Sequence, residues 1–252
     1  TELVAELDEM PDEAFIQEED IVITLSKDGF IKRLPLEFYK TQSKGGKGRK
    51  GSGVREDDSI ELLCVTHTHR QIFFFTNLGR MISTKGYEIP ETKSGKGKLA
   101  SKVLPLIENE KIVNMAGEDP GSWKFAFFIT RLGVAKRVAM EELQSSTRPR
   151  KIMTLDEGDE IAQVCLTDGS SDLLLITKEA QALRVSETEF RAMGRNAHGV
   201  RAMKLKEGDK VLSCDVANDS KKIFVLSENG IGKRTEFDSF TAHHRATGGV
   251  LI

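Results

Sequence analysis

The segment at residues 41–53, TQSKGGKGRKGSG, has the composition of a phosphate-binding loop. Four of its five glycines, Gly45, Gly46, Gly48 and Gly51, fall within seven residues; they lack a Cβ atom, so the backbone can approach a ligand and turn its N–H groups toward an anion. Lys44, Lys47, Arg49 and Lys50 add positive charge between these glycines. No helical pattern here would present Asn, Gln or Arg side chains to the base edges of a groove. We therefore expect this segment to clamp a phosphate backbone rather than to read a base sequence.

The elements that must position this segment belong to an internal repeat. One pattern occurs five times, at residues 23–33, 73–83, 127–137, 174–184 and 224–234. Each copy has Ser or Thr three residues before a turn residue, and the turn residues are Gly29, Gly79, Gly133, Ala180 and Gly230. Short apolar runs on both sides of a turn that needs positive φ predict a β-hairpin. Because alanine adopts positive φ only with strain, we expect the fourth turn to differ.

A further apolar run follows an acidic turn upstream of four of the five turn residues, and each repeat has another short run after a basic, turn-rich connection. The repeat therefore predicts about four strands in about 50 residues, which is the size of a propeller blade. We predict an all-β, propeller-like domain of about five four-stranded antiparallel blades, with boundaries near 1–55, 56–104, 105–152, 153–202 and 203–252. The chain starts without Met and stops within a predicted strand. We expect a single domain taken from a longer protein.

Positive charges recur at fixed places in the repeat. Four residues after the turn stands an arginine in four of the five copies, with Ser83 as the exception. The connection about sixteen residues after each turn is also basic, as in KSGKGK, RPRK and GRNAHGVR. Because equivalent positions of a repeat share one structural location, we expect these charges on one rim that binds phosphates. The candidate residues are Arg33, Lys96, Lys98, Arg137, Arg148, Arg150, Lys151, Arg184, Arg195, Arg201, Arg234 and Arg245.

The charge is unevenly distributed along the chain. The net charge is −2, but residues 1–20 hold nine acids and no Lys or Arg, so the remainder is net basic. A polyanion is therefore the expected partner. The acidic segment is either a solvated lead or a competitor of DNA for the basic rim. The sequence has neither an apolar run long enough to span a membrane nor a signal-peptide pattern, so we expect a cytoplasmic protein.

Catalytic and cofactor chemistry find little support in the sequence. Residues 46–51 match GxGxxG, but the strand before and the helix after that a dinucleotide site needs are not predicted. The three cysteines, Cys64, Cys165 and Cys214, form no CxxC pair and are expected to be small buried hydrophobic residues. His67 and His69 have no third ligand nearby, so a metal site is not expected. We predict no enzymatic activity, no cofactor and no metal in this domain.

Several stretches of the sequence resemble a known family. The stretch QSKGGKGR at 42–49 closely resembles the basic box of the C-terminal, DNA-wrapping domain of bacterial DNA gyrase A. EEDIVITLSKDGFIKR and RAMGRNAHGVRAMKLKEGDKV are similar to other stretches of that domain, and the resemblance covers nearly the whole chain. It implies DNA contacts by Gln42, Lys44, Gly45, Gly46, Lys47, Gly48, Arg49, Lys50 and Gly51.

The resemblance implies a β-pinwheel, a propeller-like disc in which neighbouring blades exchange strands and duplex DNA wraps around the basic rim. The wrap would be positive and would support ATP-driven negative supercoiling. The cleavage tyrosine would lie in the N-terminal part of the same polypeptide, and ATP would bind the other gyrase polypeptide. The implied partners are duplex DNA, the cleavage core and the ATPase component in a heterotetramer near the bacterial nucleoid. The isolated domain is expected to be a monomer.

The sequence departs from the family in two places, and two other functions stay open. Ser43 stands where the family usually has Arg, and five blades plus the start of another stand where the family commonly has six. One alternative is a topoisomerase IV-type domain that bends DNA without trapping a defined wrap. The other is a propeller that serves as a protein-interaction scaffold, which would explain the repeat but not the basic connections in phase with it.

Overall fold

The computed structural model describes residues 12–39, 58–118, 123–143, 148–216 and 222–252, and these residues form an all-β structure. Short helices link some strands, and none within these ranges is long and apolar enough to cross a membrane. Among the described residues, α-helix α1 is Ala100–Val103, and the 3-10 helices are Asp12–Phe15, Leu36–Tyr39, Gly86–Glu88, Met140–Glu142, Glu187–Glu189 and Phe237–Ser239. The strands are β1 (Asp20–Ser26), β2 (Phe30–Pro35), β3 (Ile60–His67), β4 (Gln71–Thr76), β5 (Arg80–Lys85), β6 (Lys98–Leu99), β7 (Ile112–Gly117), β8 (Phe125–Thr130), β9 (Val134–Ala139), β10 (Arg150–Lys151), β11 (Ile161–Thr167), β12 (Asp172–Thr177), β13 (Gln181–Ser186), β14 (Val200–Arg201), β15 (Val211–Val216), β16 (Lys222–Leu226), β17 (Gly232–Glu236) and β18 (Val250–Leu251).

Each four-stranded sheet takes strands from two consecutive repeats. The strand orders are β3-β1-β2-β6, β10-β5-β4-β7, β11-β8-β9-β14 and β15-β12-β13-β18. In each, the hairpin of one repeat is joined by the first and last strands of the next repeat. Four antiparallel sheets therefore have the predicted four strands, and the fifth, β16-β17, has two among the described residues. The predicted all-β class and the propeller-like blades are confirmed.

The repeated hairpin turns share one hydrogen-bond pattern. The hydroxyl of the Ser or Thr accepts a bond from the backbone N–H four residues later in all five copies, with N···O distances of 3.1–3.3 Å. The prediction that the fourth turn differs is wrong, because Ala180 has φ of 56° and donates its N–H to the carbonyl of Thr177 as the glycines do. The Ala180 carbonyl accepts the N–H of Ile252, so this turn must point the carbonyl at the next connection.

The acidic turns act on the hairpin that precedes them. An Oδ1 atom of Asp58, Asp159 or Asp209 accepts the backbone N–H of the residue just before the turn residue of that hairpin. Each also accepts the N–H of its own successor in the chain. All three aspartates are buried. These contacts connect the start of one repeat to the turn of the preceding repeat.

The chain folds as two compact units. Unit 1 comprises Thr1–Phe73, Thr84–Pro105 and Met115–Glu118, and it buries the aliphatic residues of β1 and β2. Unit 2 comprises Phe74–Ser83, Leu106–Asn114 and Asp119–Ile252. Its core includes Phe127 and Phe190, whose rings meet edge to face with centroids 4.9 Å apart. All three cysteines are free and buried, as the sequence predicted.

Candidate nucleic-acid interface

The predicted site residues fall into four groups in the structure. Those of the basic box, Gln42 to Gly51, lie outside the described residues, so their DNA contacts stay a prediction. The others lie on a connection in unit 1, on three consecutive connections in unit 2, and at the repeated arginine position of the hairpins.

The connection in unit 1 that leads into β6 carries Lys96 and Lys98, and its backbone pairs with β2. Lys98 is exposed and pairs through its backbone with Ile31. The ammonium of Lys96 lies 4.9 Å from the ring centroid of Phe30, within the range of a cation–π contact. Gly97 has φ of 94°, and a Cβ atom there would lie 2.4 Å from the Ile31 carbonyl oxygen. This glycine therefore permits close approach of the connection to its own sheet.

Three connections of unit 2 hydrogen-bond to one another in sequence order. The backbone N–H of Thr154 donates to the Ala197 carbonyl, with N and O 3.3 Å apart. The N–H of Ala246 donates to the Ala202 carbonyl at 2.6 Å. We call the three connections, residues 148–154, 194–204 and 243–249, the basic ridge. The sequence contains no acid in these ranges.

The ridge exposes a set of cations. Burial, and then the like charge of Arg195, lower the pKa of the Arg150 guanidinium. The two cations therefore lie on neighbouring connections and close enough to repel each other. The Arg245 guanidinium donates to the Arg201 carbonyl at 3.2 Å and joins the next pair of connections. The exposed bases of the ridge are Arg148, Lys151, Arg195, Arg201, Lys204 and Arg245. With the partly buried Arg150, the structure thus brings together six of the predicted residues, and it adds Lys204, which was not among them.

A glutamate outside the ridge fixes its last connection. The Glu189 carboxylate accepts the Arg245 backbone N–H at 2.7 Å and pairs with His244 at 2.6 Å. The hydrogen bond from the Arg245 amide, together with His244, holds the Glu189 pKa below its usual value against the effect of burial. The carboxylate is therefore charged near neutral pH and restrains the backbone that carries the Arg245 side chain.

Three of the four repeated hairpin arginines point into the protein. The side chains of Arg33, Arg137 and Arg184 are 15%, 12% and 19% exposed. Each backbone forms a parallel bridge to the next repeat, at Glu91, Ala192 and Ala242 respectively. The prediction that this position lies on an open rim is wrong for these three, because the next repeat packs over them. Their geometry speaks against phosphate contact.

The partners of these arginines are carboxylates, a main-chain carbonyl and aromatic rings of the protein itself. Arg33 pairs with Glu91 at 3.5 Å, and its Nε donates to the Ile89 carbonyl. Arg184 pairs with Asp172 at 2.7 Å. The guanidinium carbons of Arg137 and Arg184 lie 4.3 and 4.5 Å from the ring centroids of Phe125 and Phe237. Arg234, the fourth member, is exposed on β17 and keeps its predicted availability.

The lysines before two of these arginines, Arg33 and Arg137, were missed by the sequence reasoning. Lys32 and Lys136 are buried, 3% and 0% exposed, and both donate to carbonyls of a basic connection. The signal that could have found them is the Lys-Arg pair, which recurs at 32–33, 136–137 and 233–234. No group of three His, Cys, Asp or Glu side chains within the described ranges is arranged to hold a metal ion.

A family model described as the DNA gyrase C-terminal domain, β-propeller, matches residues 20–63, 70–116, 124–165, 171–218 and 221–252. The chain belongs to the DNA gyrase C-terminal domain family. The five matched segments coincide with the five repeats. The basic ridge and the four hairpin arginines lie within the matched segments.

Curated relatives and solved structures agree with this assignment. The chain is 47% identical to the DNA gyrase A protein of Aminobacterium colombiense over 100% of its own length, and 39% identical to that of Staphylococcus aureus over 96%. It spans 31% and 28% of those relatives. A DNA topoisomerase IV C-terminal domain superposes with a TM-score of 0.78 at 27% identity, covering 94% of this chain and 73% of that one. A DNA gyrase A C-terminal domain gives 0.72 at 26% identity, covering 92% and 76%.

Proposed function

We propose that this domain binds duplex DNA without sequence preference and wraps it in a positive sense around its basic connections. In this proposal it is a noncatalytic part of DNA gyrase and supports negative supercoiling by the enzyme. The observation that carries the proposal is the basic ridge, in which three hydrogen-bonded connections expose six cations with no acid among them. Family membership supports the same role.

Phosphate neutralisation is the physical basis of this proposal. Bending a short stretch of duplex sharply costs on the order of 1 to 10 kcal/mol, which a single charge cannot offset. Six cations on a ridge can each release counterions when they meet phosphates, with a slope of about −0.9 per contact in a plot of log K against log salt. Full use of the ridge therefore predicts a slope of about −5, and the basic box would make it steeper.

The first experiment measures affinity with matched charge changes. Arg195→Glu with Arg201→Glu reverses two exposed charges of the ridge, and Lys178→Glu with Lys210→Glu reverses two exposed charges outside it. We expect the ridge pair to lower duplex affinity at least about tenfold and to reduce the salt slope by about 2, because two phosphate contacts are lost. The control pair should change the affinity much less. Equal losses in the two pairs would contradict a role for the ridge.

The second experiment separates wrapping from binding. A nicked circular DNA is ligated in the presence of the domain, the protein is removed, and the linking-number distribution is read on a gel. A positive shift that grows with protein concentration is expected. Changing Lys44, Lys47, Arg49 and Lys50 to Ala should abolish the shift and preserve much of the binding, since these residues would fasten the end of the wrap. Equal loss of shift and binding would contradict that division of labour.

A second candidate function follows from the structural similarity to the topoisomerase IV domain. Such a domain would bend bound DNA without trapping a defined wrap. Duplex binding with a steep salt slope and no shift in linking number would favour this candidate.

A further inference from the structure

Lys136 occupies an unusual environment for a charged side chain. It lies on β9, is 0% exposed, and places its ammonium among main-chain carbonyls. The Nζ atom donates to the carbonyl oxygens of Ile152, Arg195 and Ala197, at 2.5, 2.7 and 3.2 Å. An ammonium has three N–H donors, so this cage can use all of them.

The three carbonyls belong to two neighbouring connections of the basic ridge. Ile152 directly follows the basic pair Arg150-Lys151, while Arg195 and Ala197 lie in the next connection. One buried ammonium therefore joins the backbones that carry two groups of exposed cations. Because this ammonium is fully buried, it does not contact a phosphate itself.

The fold does not require a lysine at this place. The position three residues after the turn residue is filled in other repeats by Ile82 and Leu183, which are 1% and 0% exposed. The connections that follow those repeats are held in other ways. Arg150 donates to the Leu143 carbonyl at 2.8 Å, and Glu189 holds the connection at residues 243–249.

The same arrangement recurs in unit 1. Lys32 is 3% exposed, and its ammonium donates to the Gly95 carbonyl of the connection in that unit at 3.1 Å. A buried lysine thus appears twice where an apolar residue satisfies the fold elsewhere, and each time its donors reach a basic connection.

We propose that Lys136 is a positioning residue for DNA binding, which sets the backbone of two ridge connections so that their exposed cations can meet consecutive phosphates together. The inference deepens the proposed function and rests on it. Burial lowers the pKa of Lys136 to about 8, opposed by the charge of Glu142, so the group is mainly protonated at pH 7. A charged donor forms stronger hydrogen bonds to carbonyls than a neutral one.

The test replaces Lys136 with the residue found at the same position in another repeat. Lys136→Leu copies Leu183, and Lys178→Leu removes an exposed lysine as the matched change in charge. Amide hydrogen exchange and the salt dependence of duplex affinity are measured for both variants and the unchanged domain. We expect faster exchange at Thr154, whose N–H binds Ala197, with unchanged exchange in β12 and β13.

The salt slope distinguishes positioning from direct contact. Loss of one direct phosphate contact lowers the slope by about 1, whereas misplacement of two connections affects several cations at once. We expect Lys136→Leu to lower the affinity at least about tenfold at moderate salt and to reduce the slope by about 2 or more. Lys178→Leu should leave both values near those of the unchanged domain.

The outcomes separate this inference from the proposed function. If the wild-type domain does not bind duplex DNA, the proposed function is refuted. The exchange data would still show whether the hydrogen bonds of Lys136 hold the two connections. Faster exchange at Thr154 with unaltered DNA affinity would overturn the positioning role. Lys136→Met, which keeps an unbranched chain, serves as a second variant. Global unfolding of both variants would also overturn the proposal, because Lys136 would then serve the fold.

Discussion

Removing the charge of Glu187 should be among the most damaging single changes in unit 2. Its side chain is fully buried at the end of β13, where the short helix Glu187–Glu189 begins. The carboxylate accepts the hydroxyl of Thr167 at 2.6 Å and the backbone N–H groups of Gly169 and Ser171 at 3.0 and 2.8 Å. It also faces the Arg137 guanidinium at 3.4 Å. The two backbone N–H groups and the guanidinium can only donate, so each of them needs an acceptor.

Glu187→Gln keeps the shape of the side chain but replaces one acceptor oxygen with an NH2 group, which donates. In either orientation the amide NH2 group faces donors, and the Arg137 cation, 12% exposed, loses its counter-charge. Breaking a buried ion pair by removing one partner costs about 3–5 kcal/mol. We expect about 3 kcal/mol, because the amide oxygen still accepts some of the bonds. With a typical urea dependence, this shifts the unfolding midpoint by roughly 1–2 M.

Urea unfolding can be followed by the fluorescence of Trp123, the only tryptophan of the chain, which lies in unit 2 two residues before Phe125. The control is Glu207→Gln, an exposed acid in an acidic turn of the same unit, for which we expect a change below about 0.5 kcal/mol. A loss of less than about 1 kcal/mol for Glu187→Gln would refute the reasoning. It would mean that water or a shift of Arg137 replaces the carboxylate.

Three further predictions concern single residues, each checked by urea unfolding. Ala180→Gly should stabilise the domain by about 0.5–1 kcal/mol, because glycine adopts the φ of 56° without strain, while its larger loss of backbone entropy on folding offsets part of this gain. A loss of stability would contradict this prediction. Thr130→Val removes the acceptor of the Val134 N–H at a residue that is itself fully buried and should cost about 1–3 kcal/mol; an unchanged midpoint would contradict it. Lys136 has a folded pKa of about 8 against 10.5 for the free side chain, so the unfolded chain binds its proton more tightly in that range. Between pH 8 and 10.5 the wild-type domain should gain stability relative to Lys136→Leu, and a fall would contradict the sign.

The repeat, the hairpins and the number of strands per blade could be read from the sequence. They depend on local rules, namely the positive φ at a turn residue, the Ser or Thr that accepts an N–H four positions later, and the alternation of apolar runs with turns. The basic connections were found for the same reason, since Arg195, Arg201 and Arg245 recur in phase with the turns. Local conformation and repeat phase determined these features.

Only the tertiary structure decided which of the repeated charges are available to a ligand. Arg137 and Arg201 look alike in the sequence, yet Arg137 is covered by the next repeat and Arg201 is exposed. The same holds for Lys136, which stands beside Arg137 and serves the interior. Burial and carbonyl partners come from segments tens of residues away, through strands exchanged between consecutive repeats. The sequence shows where a charged residue stands and how often it recurs. The packing of the following repeat determines whether its side chain faces the protein or the solvent.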